Sequence, residues 1–182
     1  KALLEGAPHL ITHKVVHQRI SQSPMETRGV VVTRDGTEEL TLYITCQSPH
    51  LVARWVSLAL GLPQAAIRVI AKDVGGAFGL KNHPWKEEVA VILAALAFGR
   101  PLKWIEDRYE ALAASLHAKE VVCELSIATR ADGTFLAMKG RYLGDAGAYA
   151  AYPFTPLVDP LCAAVMLPSI YRLDAVRYEV DA

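Results

Sequence analysis

Ile67-Arg68-Val69-Ile70 runs through Ala71-Lys72 into Asp73-Val74-Gly75-Gly76-Ala77-Phe78-Gly79-Leu80-Lys81, and a helical pattern begins near Trp85. A short β-branched strand, a glycine-rich turn and then a helix leave free backbone N–H groups where they can face an anion. Glycine lets the main chain approach a ligand without a Cβ in the way. Phe78 is out of place in a plain turn, because an aromatic ring between small residues needs something to pack on. Two common phosphate loops do not fit. A dinucleotide fingerprint needs Gly at positions one, three and six, and reading from Gly75 gives Gly75, Ala77 and Leu80. A P-loop needs Gly-Lys-Ser/Thr, whereas Lys81 stands between Leu80 and Asn82. The residues alone leave two readings open: an anion cradle, or a tight strand-to-helix connection with no ligand.

Outward from this loop, the helix opening near Trp85 carries Glu87 and Glu88 in its first turn, where negative charge suits the helix dipole. Val89, Ile92, Leu93 and Leu96 mark one face, and Ala90, Val91, Ala94 and Ala97 make the other apolar, which predicts burial on most sides. Gly99 and Pro101 close it, and Leu102–Ile105 reads as a strand. Upstream, Lys14–Ile20 and Gly29–Thr33 are extended, and Asp35-Gly36 turns the chain into Leu40–Ile44 as a hairpin. Ser48-Pro49 predicts a helix start, with Leu51, Val52, Trp55, Val56 and Ala59 as its apolar stripe and Gly61 as its stop. Downstream, Tyr109–Ser115 predicts a short helix, and Glu120–Thr129 pairs with Phe135–Leu143 as a second hairpin. Asp145–Leu167, holding Pro153, Pro156 and Pro160, predicts an irregular segment with short helical pieces. The sum is an α+β fold of mixed sheets, hairpins at both ends and packed helices, with residues 1–182 as a single partial domain.

Composition narrows the function. Nineteen Lys plus Arg balance nineteen Asp plus Glu, which argues against a nucleic-acid binder or a polybasic membrane-surface protein. An apolar content of 52% excludes a disordered chain. The longest apolar run, residues 89–98, is half of the roughly twenty residues that a membrane span needs. Cys46, Cys123 and Cys162 are too far apart for a zinc knuckle or an iron–sulfur loop and too few for a disulfide framework, so a reducing, cytoplasmic setting is expected. His9, His13 and His17 have metal-binding spacing only on a helix, which Pro8 and the β-branched Ile11, Thr12, Val15 and Val16 disfavour. No Gly-x-Ser-x-Gly elbow supports a serine nucleophile. The chain starts at Lys1 without an initiating Met or a signal peptide, and it reads as an excerpt of something longer.

Five pieces then stand in one order: Gln47 after a strand; Asp73 to Lys81; Gly99-Arg100-Pro101-Leu102-Lys103; Glu106-Asp107-Arg108-Tyr109-Glu110; and Asp145-Ala146-Gly147-Ala148-Tyr149. From about Ser23 onward the chain resembles the molybdenum hydroxylase family: the molybdopterin-binding large subunit or domain of xanthine dehydrogenases, aldehyde oxidases and aerobic carbon monoxide dehydrogenases. The resemblance implies a molybdopterin cofactor with molybdenum in the full-length protein, in bacterial members the cytosine dinucleotide form. It implies no protein ligand to the metal. It implies that Gln47 offers its amide to the apical oxygen of molybdenum, and that Phe78 and Gly79 approach the cofactor through backbone N–H groups. Gly75 and Gly76 would let the loop come close. Ala77 replaces the usual third glycine of Gly-Gly-Gly-Phe-Gly-x-Lys, which costs ~1–2 kcal/mol if its φ is positive and little otherwise.

Asn82 stands where purine-oxidising members carry a glutamate, which weakens that reading. Arg100-Pro101 and the 106–110 run read as architecture, a helix cap and a solvated charge cluster. Asp145 and Tyr149 read either as active-site lining or as a buried hydrogen-bonded pair. The implied activity is oxidation of carbon monoxide, an aldehyde or an N-heterocycle with water as oxygen source. Implied partners are the remainder of the large subunit, iron–sulfur and FAD subunits or domains, and a small-molecule substrate. The base glutamate lies far downstream in family members, so no catalytic residue is expected in this chain, and it is not expected to act alone. The alternative is a non-catalytic scaffold or subunit-interaction domain of the same fold.

Overall fold

The computed structural model describes residues 2–34, 39–118, 120–147 and 157–182. Its elements run α1 (Ala2–Glu5), β1 (His9–His17), β2 (Ile20–Ser21), β3 (Gly29–Arg34), β4 (Leu40–Ile44), α2 (Pro49–Leu60), a 3-10 turn (Gln64–Ala66), β5 (Ile67–Ile70), α3 (Lys86–Phe98) and β6 (Leu102–Ile105). Then follow α4 (Arg108–Ala114), β7 (His117–Ala118), β8 (Val121–Thr129), β9 (Phe135–Gly144), α5 (Val158–Met166) and β10 (Ala175–Asp181). The fold is α+β. The chain forms two compact units, one of Lys1–Ile20 with Ala118–Ala182 and the other of Ser21–His117.

The Ser21–His117 unit is built on a sheet of order β5-β4-β3-β6. β3 and β4 are antiparallel, Val30 facing Ile44 and Thr33 facing Thr41, so the first hairpin is present; its Asp35-Gly36 turn lies outside the described residues. β6 joins antiparallel and β5 parallel, the latter because α2 returns the chain to the same end of the sheet before β5 begins. Strand alternation sends Val30, Val32, Leu40, Leu42 and Ile44 to one face. There they pack against Val52, Ala53 and Val56 of α2 and Ile92 and Ala95 of α3. Pro49 opens α2, and Gly61 ends it at φ 65°, the left-handed cap that glycine takes without strain.

α3 is less enclosed than its sequence predicts. Only Glu88, Ile92 and Ala95 are buried, at the i, i+4, i+7 spacing of one face, while Leu93 and Phe98 are half or more exposed. An all-round apolar helix needs neighbours on every side, and within this unit the sheet covers one.

The Lys1–Ile20 and Ala118–Ala182 unit carries a second mixed sheet, β1-β8-β9-β10. The second hairpin is present as β8–β9, with a bulge at Ala128/Thr129, and β10 adds parallel to β9. α5 contributes Ala164 to a core with Val121, Cys123 and Tyr142. His9, His13 and His17 all lie on β1, paired with Thr129, Leu125 and Val121. At about 3.3 Å per residue, strand spacing sets successive members of this trio about 13 Å apart, too far for one ion. No described helix is long and apolar enough to cross a membrane.

Candidate cofactor-binding site

Between β5 and α3 the chain folds a compact loop whose fixing bonds, among the described residues, all come from the Ser21–His117 unit. Leu80 N–H bonds to Ala77 C=O at 2.9 Å, closing a four-residue turn. Its two central residues have positive φ, 53° at Phe78 and 92° at Gly79. That pairing defines a type I′ turn, normally the province of Gly and Asn. For a bulky residue such as Phe78 it is a true outlier, costing of order 1–3 kcal/mol, which the surroundings must hold in place. The Phe78 ring is 73% exposed, so packing of the ring does not provide the compensation.

The compensation comes from hydrogen bonds. Gln47, just past β4 and before α2, accepts at its Oε1 from Gly79 N–H (3.1 Å) and Lys81 N–H (3.2 Å). Gln47 N–H in turn donates to Lys81 C=O at 2.9 Å. Because both partners of the side chain are obligate donors, the atom facing them is the oxygen, and the carboxamide Nε2 is left with two hydrogens pointing elsewhere. At the other end of the loop Glu26 Oε2 accepts from Gly75 N–H (2.9 Å) and from Lys81 Nζ (2.7 Å). The Lys81 side chain is fully buried and that of Glu26 is 35% exposed. Partial burial raises the Glu26 carboxyl, but the Lys81 ammonium and the Gly75 N–H outweigh it and hold the group below its ordinary value.

Ala77 is buried and is not among the positive-φ residues, so its methyl replaces the usual glycine without backbone strain. Gly76 (φ 94°) and Gly79 do need glycine's freedom, and a Cβ on Gly79 would meet nothing within 4 Å, leaving open space above it. The Gly79 N–H is engaged by Gln47, whereas the Phe78 N–H finds no acceptor among the described residues. Among the described residues the loop therefore offers two kinds of unspent donor: main-chain N–H groups, of Gly76 and Ala77 as well as Phe78, and the Gln47 amide. That donor set suits an oxyanionic, hydrogen-bond-accepting group, which is what a molybdenum oxo and a pterin present.

Asn82 donates its side-chain amide to Gly79 C=O at 3.3 Å, a bond that a glutamate could not make. Below the loop the 106–110 run divides. Asp107 and Glu110 form the expected cap of α4, each side chain accepting from the other's backbone N–H. Glu106 is not solvated: it and Arg28 are both 2% exposed, joined by Arg28 Nε (3.1 Å), Nη2 (2.5 Å) and the Arg28 backbone N–H (3.0 Å). Arg28 also reaches Glu87, and Arg108 donates to the carbonyls of Pro24 and Met25, so this run braces the Glu26 segment. Asp145 belongs to the other unit, where it accepts from Gly147 N–H and pairs with Arg19; Tyr149 lies outside the described residues. Sequence reasoning missed Glu26 and Arg28. Neither sits in a motif, and a lone acid and a lone base far from their partners leave no local pattern.

Over its whole length, residues 1–182, the chain matches the family model described as the molybdopterin cofactor-binding domain. The chain belongs to this family. It is 36% identical over 175 residues to the nicotine 6-hydroxylase large subunit of Paenarthrobacter nicotinovorans, a match covering 95% of this chain and 21% of that protein. It is 34% identical over 151 residues to the carbon monoxide dehydrogenase large chain of Hydrogenophaga pseudoflava, covering 82% of this chain and 19% of the relative. Among solved structures, the quinoline 2-oxidoreductase of Pseudomonas putida 86 superposes with a TM-score of 0.88 at 36% identity, over 98% of this chain and 23% of that one. The molybdopterin cofactor-binding domain described here thus spans about a fifth of the length of these relatives.

Proposed function

We propose that this chain forms one wall of a molybdopterin pocket in the large subunit of a molybdenum hydroxylase, with residues 1–182 a single partial domain of that subunit. The observation that carries the reading is the orientation of Gln47. Its oxygen is tied to the glycine loop, so its amide hydrogens remain as donors, and the Phe78 N–H has no acceptor among the described residues. Gln47, Gly75, Gly76, Ala77, Phe78 and Gly79 are the cofactor-contacting set. Gln47 and Phe78 donate, Gly76 and Gly79 allow the turn and leave room for the ligand, Gly75 admits Glu26, and buried Ala77 packs beneath.

When bound, the molybdenum cofactor supplies two-electron oxidation, with water as the oxygen source. The chain's own residues bind and orient the group. Preformed donors aimed at an oxygen favour it most as negative charge develops there, and they need no reorganisation at that moment. The substrate is a small molecule of the carbon monoxide, aldehyde or N-heterocycle kind. With Asn82 bonded to the loop in place of a purine-reading carboxylate, the purine class is disfavoured. The remaining subunit, iron–sulfur and flavin components in a cytoplasmic complex, and the cytosine dinucleotide form of the cofactor complete the proposal.

Metal analysis of the complete subunit, expressed in a host that makes the cofactor, tests it. Roughly one molybdenum per chain is expected. None would overturn the enzyme reading in favour of a scaffold of the same fold.

A further inference from the structure

Glu26 precedes Gly75 by forty-nine residues, yet the two are locked together. Glu26 N–H donates to Gly75 C=O at 3.1 Å while its carboxylate accepts the Gly75 N–H. The approach is so close that a Cβ on Gly75 would lie 2.7 Å from the Glu26 Cβ. The same carboxylate oxygen holds the buried Lys81 ammonium, and Lys81 is bonded in both directions to Gln47. Lys81 is thus the shared member of two clamps, one at each end of the loop. A fully buried ammonium without a counter-charge is prohibitively costly, so Lys81 stays inside only while the loop delivers it to Glu26.

We infer that Glu26 is a positioning residue for the glycine loop: through Lys81 it fixes the Phe78–Gly79 turn and the Gln47 carboxamide in their donor-presenting arrangement. The Glu26 carboxylate is engaged by Gly75 N–H and the Lys81 ammonium. The inference rests on the function proposed above for the identity of that ligand, but not for the clamp. It also accounts for the conformation of Phe78, whose ring is largely exposed.

Amide hydrogen exchange, resolved to single residues in the complete subunit, tests the inference in wild type, Glu26→Gln and the double variant Glu26→Leu/Lys81→Met. The double variant removes both partners and so leaves no unpaired charge inside. Its thermal midpoint is expected to move little. Exchange at Gly79 and Lys81, whose N–H groups point at Gln47 and not at Glu26, is expected to accelerate about tenfold or more, with a matching loss of retained pterin. Glu26→Gln keeps an acceptor for Gly75 but leaves the buried Lys81 ammonium without its counter-charge, and an acceleration at least as large as in the double variant is expected, with a lower thermal midpoint. Wild-type protection at Gly79 in the folded double variant would overturn the inference, since Gln47 would then hold its end unaided. A wild-type subunit that binds no pterin would overturn the proposed function instead, with the exchange rates still deciding the clamp.

Discussion

Gln47 and Lys81 hold each other by two hydrogen bonds of opposite sense, main chain to main chain at 2.9 Å and main chain to carboxamide oxygen at 3.2 Å. The first survives truncation of the Gln47 side chain and the second does not, so the residue's structural and chemical roles can be separated. In the complete enzyme, Gln47→Ala is expected to lower kcat by about a hundredfold or more, the usual loss when one preorganised donor is removed. Gln47→Glu can still accept from Gly79 and Lys81 but no longer donates, and it is expected to lose activity at least as far with the loop intact. Steady-state kinetics beside circular dichroism check both; unchanged kcat in Gln47→Glu would remove the donor role.

Two positions of the loop, Gly79 and Ala77, are each expected to lose stability on exchange, for different reasons. Gly79→Ala meets no steric obstacle, so its cost is the backbone conformation alone, about 1–2 kcal/mol. Ala77→Gly, a reversion to the family's usual residue, is expected to destabilise by up to about 1 kcal/mol, because it removes a buried methyl and adds unfolded-state freedom. Urea denaturation gives both values.

Arg28 and Glu106 form a buried pair in which neither charge reaches water. Arg28→Met leaves Glu106 without its partner and is expected to cost about 3–5 kcal/mol. Arg28→Met combined with Glu106→Leu is expected to recover much of that loss, since no lone charge then stays inside. A double-mutant cycle by chemical denaturation measures the difference.

Glu88 carries the pH dependence. Burial pushes its carboxyl up to about 7, with Glu106 and Glu87 adding to the rise and the Trp85 N–H and Arg28 opposing it. A carboxyl raised above its ordinary value near 4.5 binds its proton more tightly when folded. Its contribution is therefore complete below that value and is lost as pH climbs through 7. Glu88→Gln keeps an oxygen for the Trp85 N–H and cannot ionise. Denaturation at pH 5 and pH 8 is expected to show a smaller drop in the variant than in wild type; equal drops would exclude Glu88 as the source.

The elements that were legible in the sequence are those whose signal is local. Pro49 with Gly61 bracketed α2, the acidic pair before Val89 announced α3, and β-branched runs marked β3, β4, β8 and β9. The glycine loop was visible because its residue types are rare together. What stayed hidden depends on distance along the chain. Glu26 meets Lys81 across fifty-five residues and Arg28 meets Glu106 across seventy-eight, and neither pair leaves a periodic trace. The Phe78 turn was hidden for another reason: an aromatic residue is a poor choice for positive φ, so the sequence does not announce one there.

Among the described residues, every hydrogen bond that shapes the loop joins partners between Ser21 and His117. The donor geometry is for that reason a regional property. Chimaeras that exchange the Lys1–Ile20 and Ala118–Ala182 segments among relatives would keep both partners of each of these bonds.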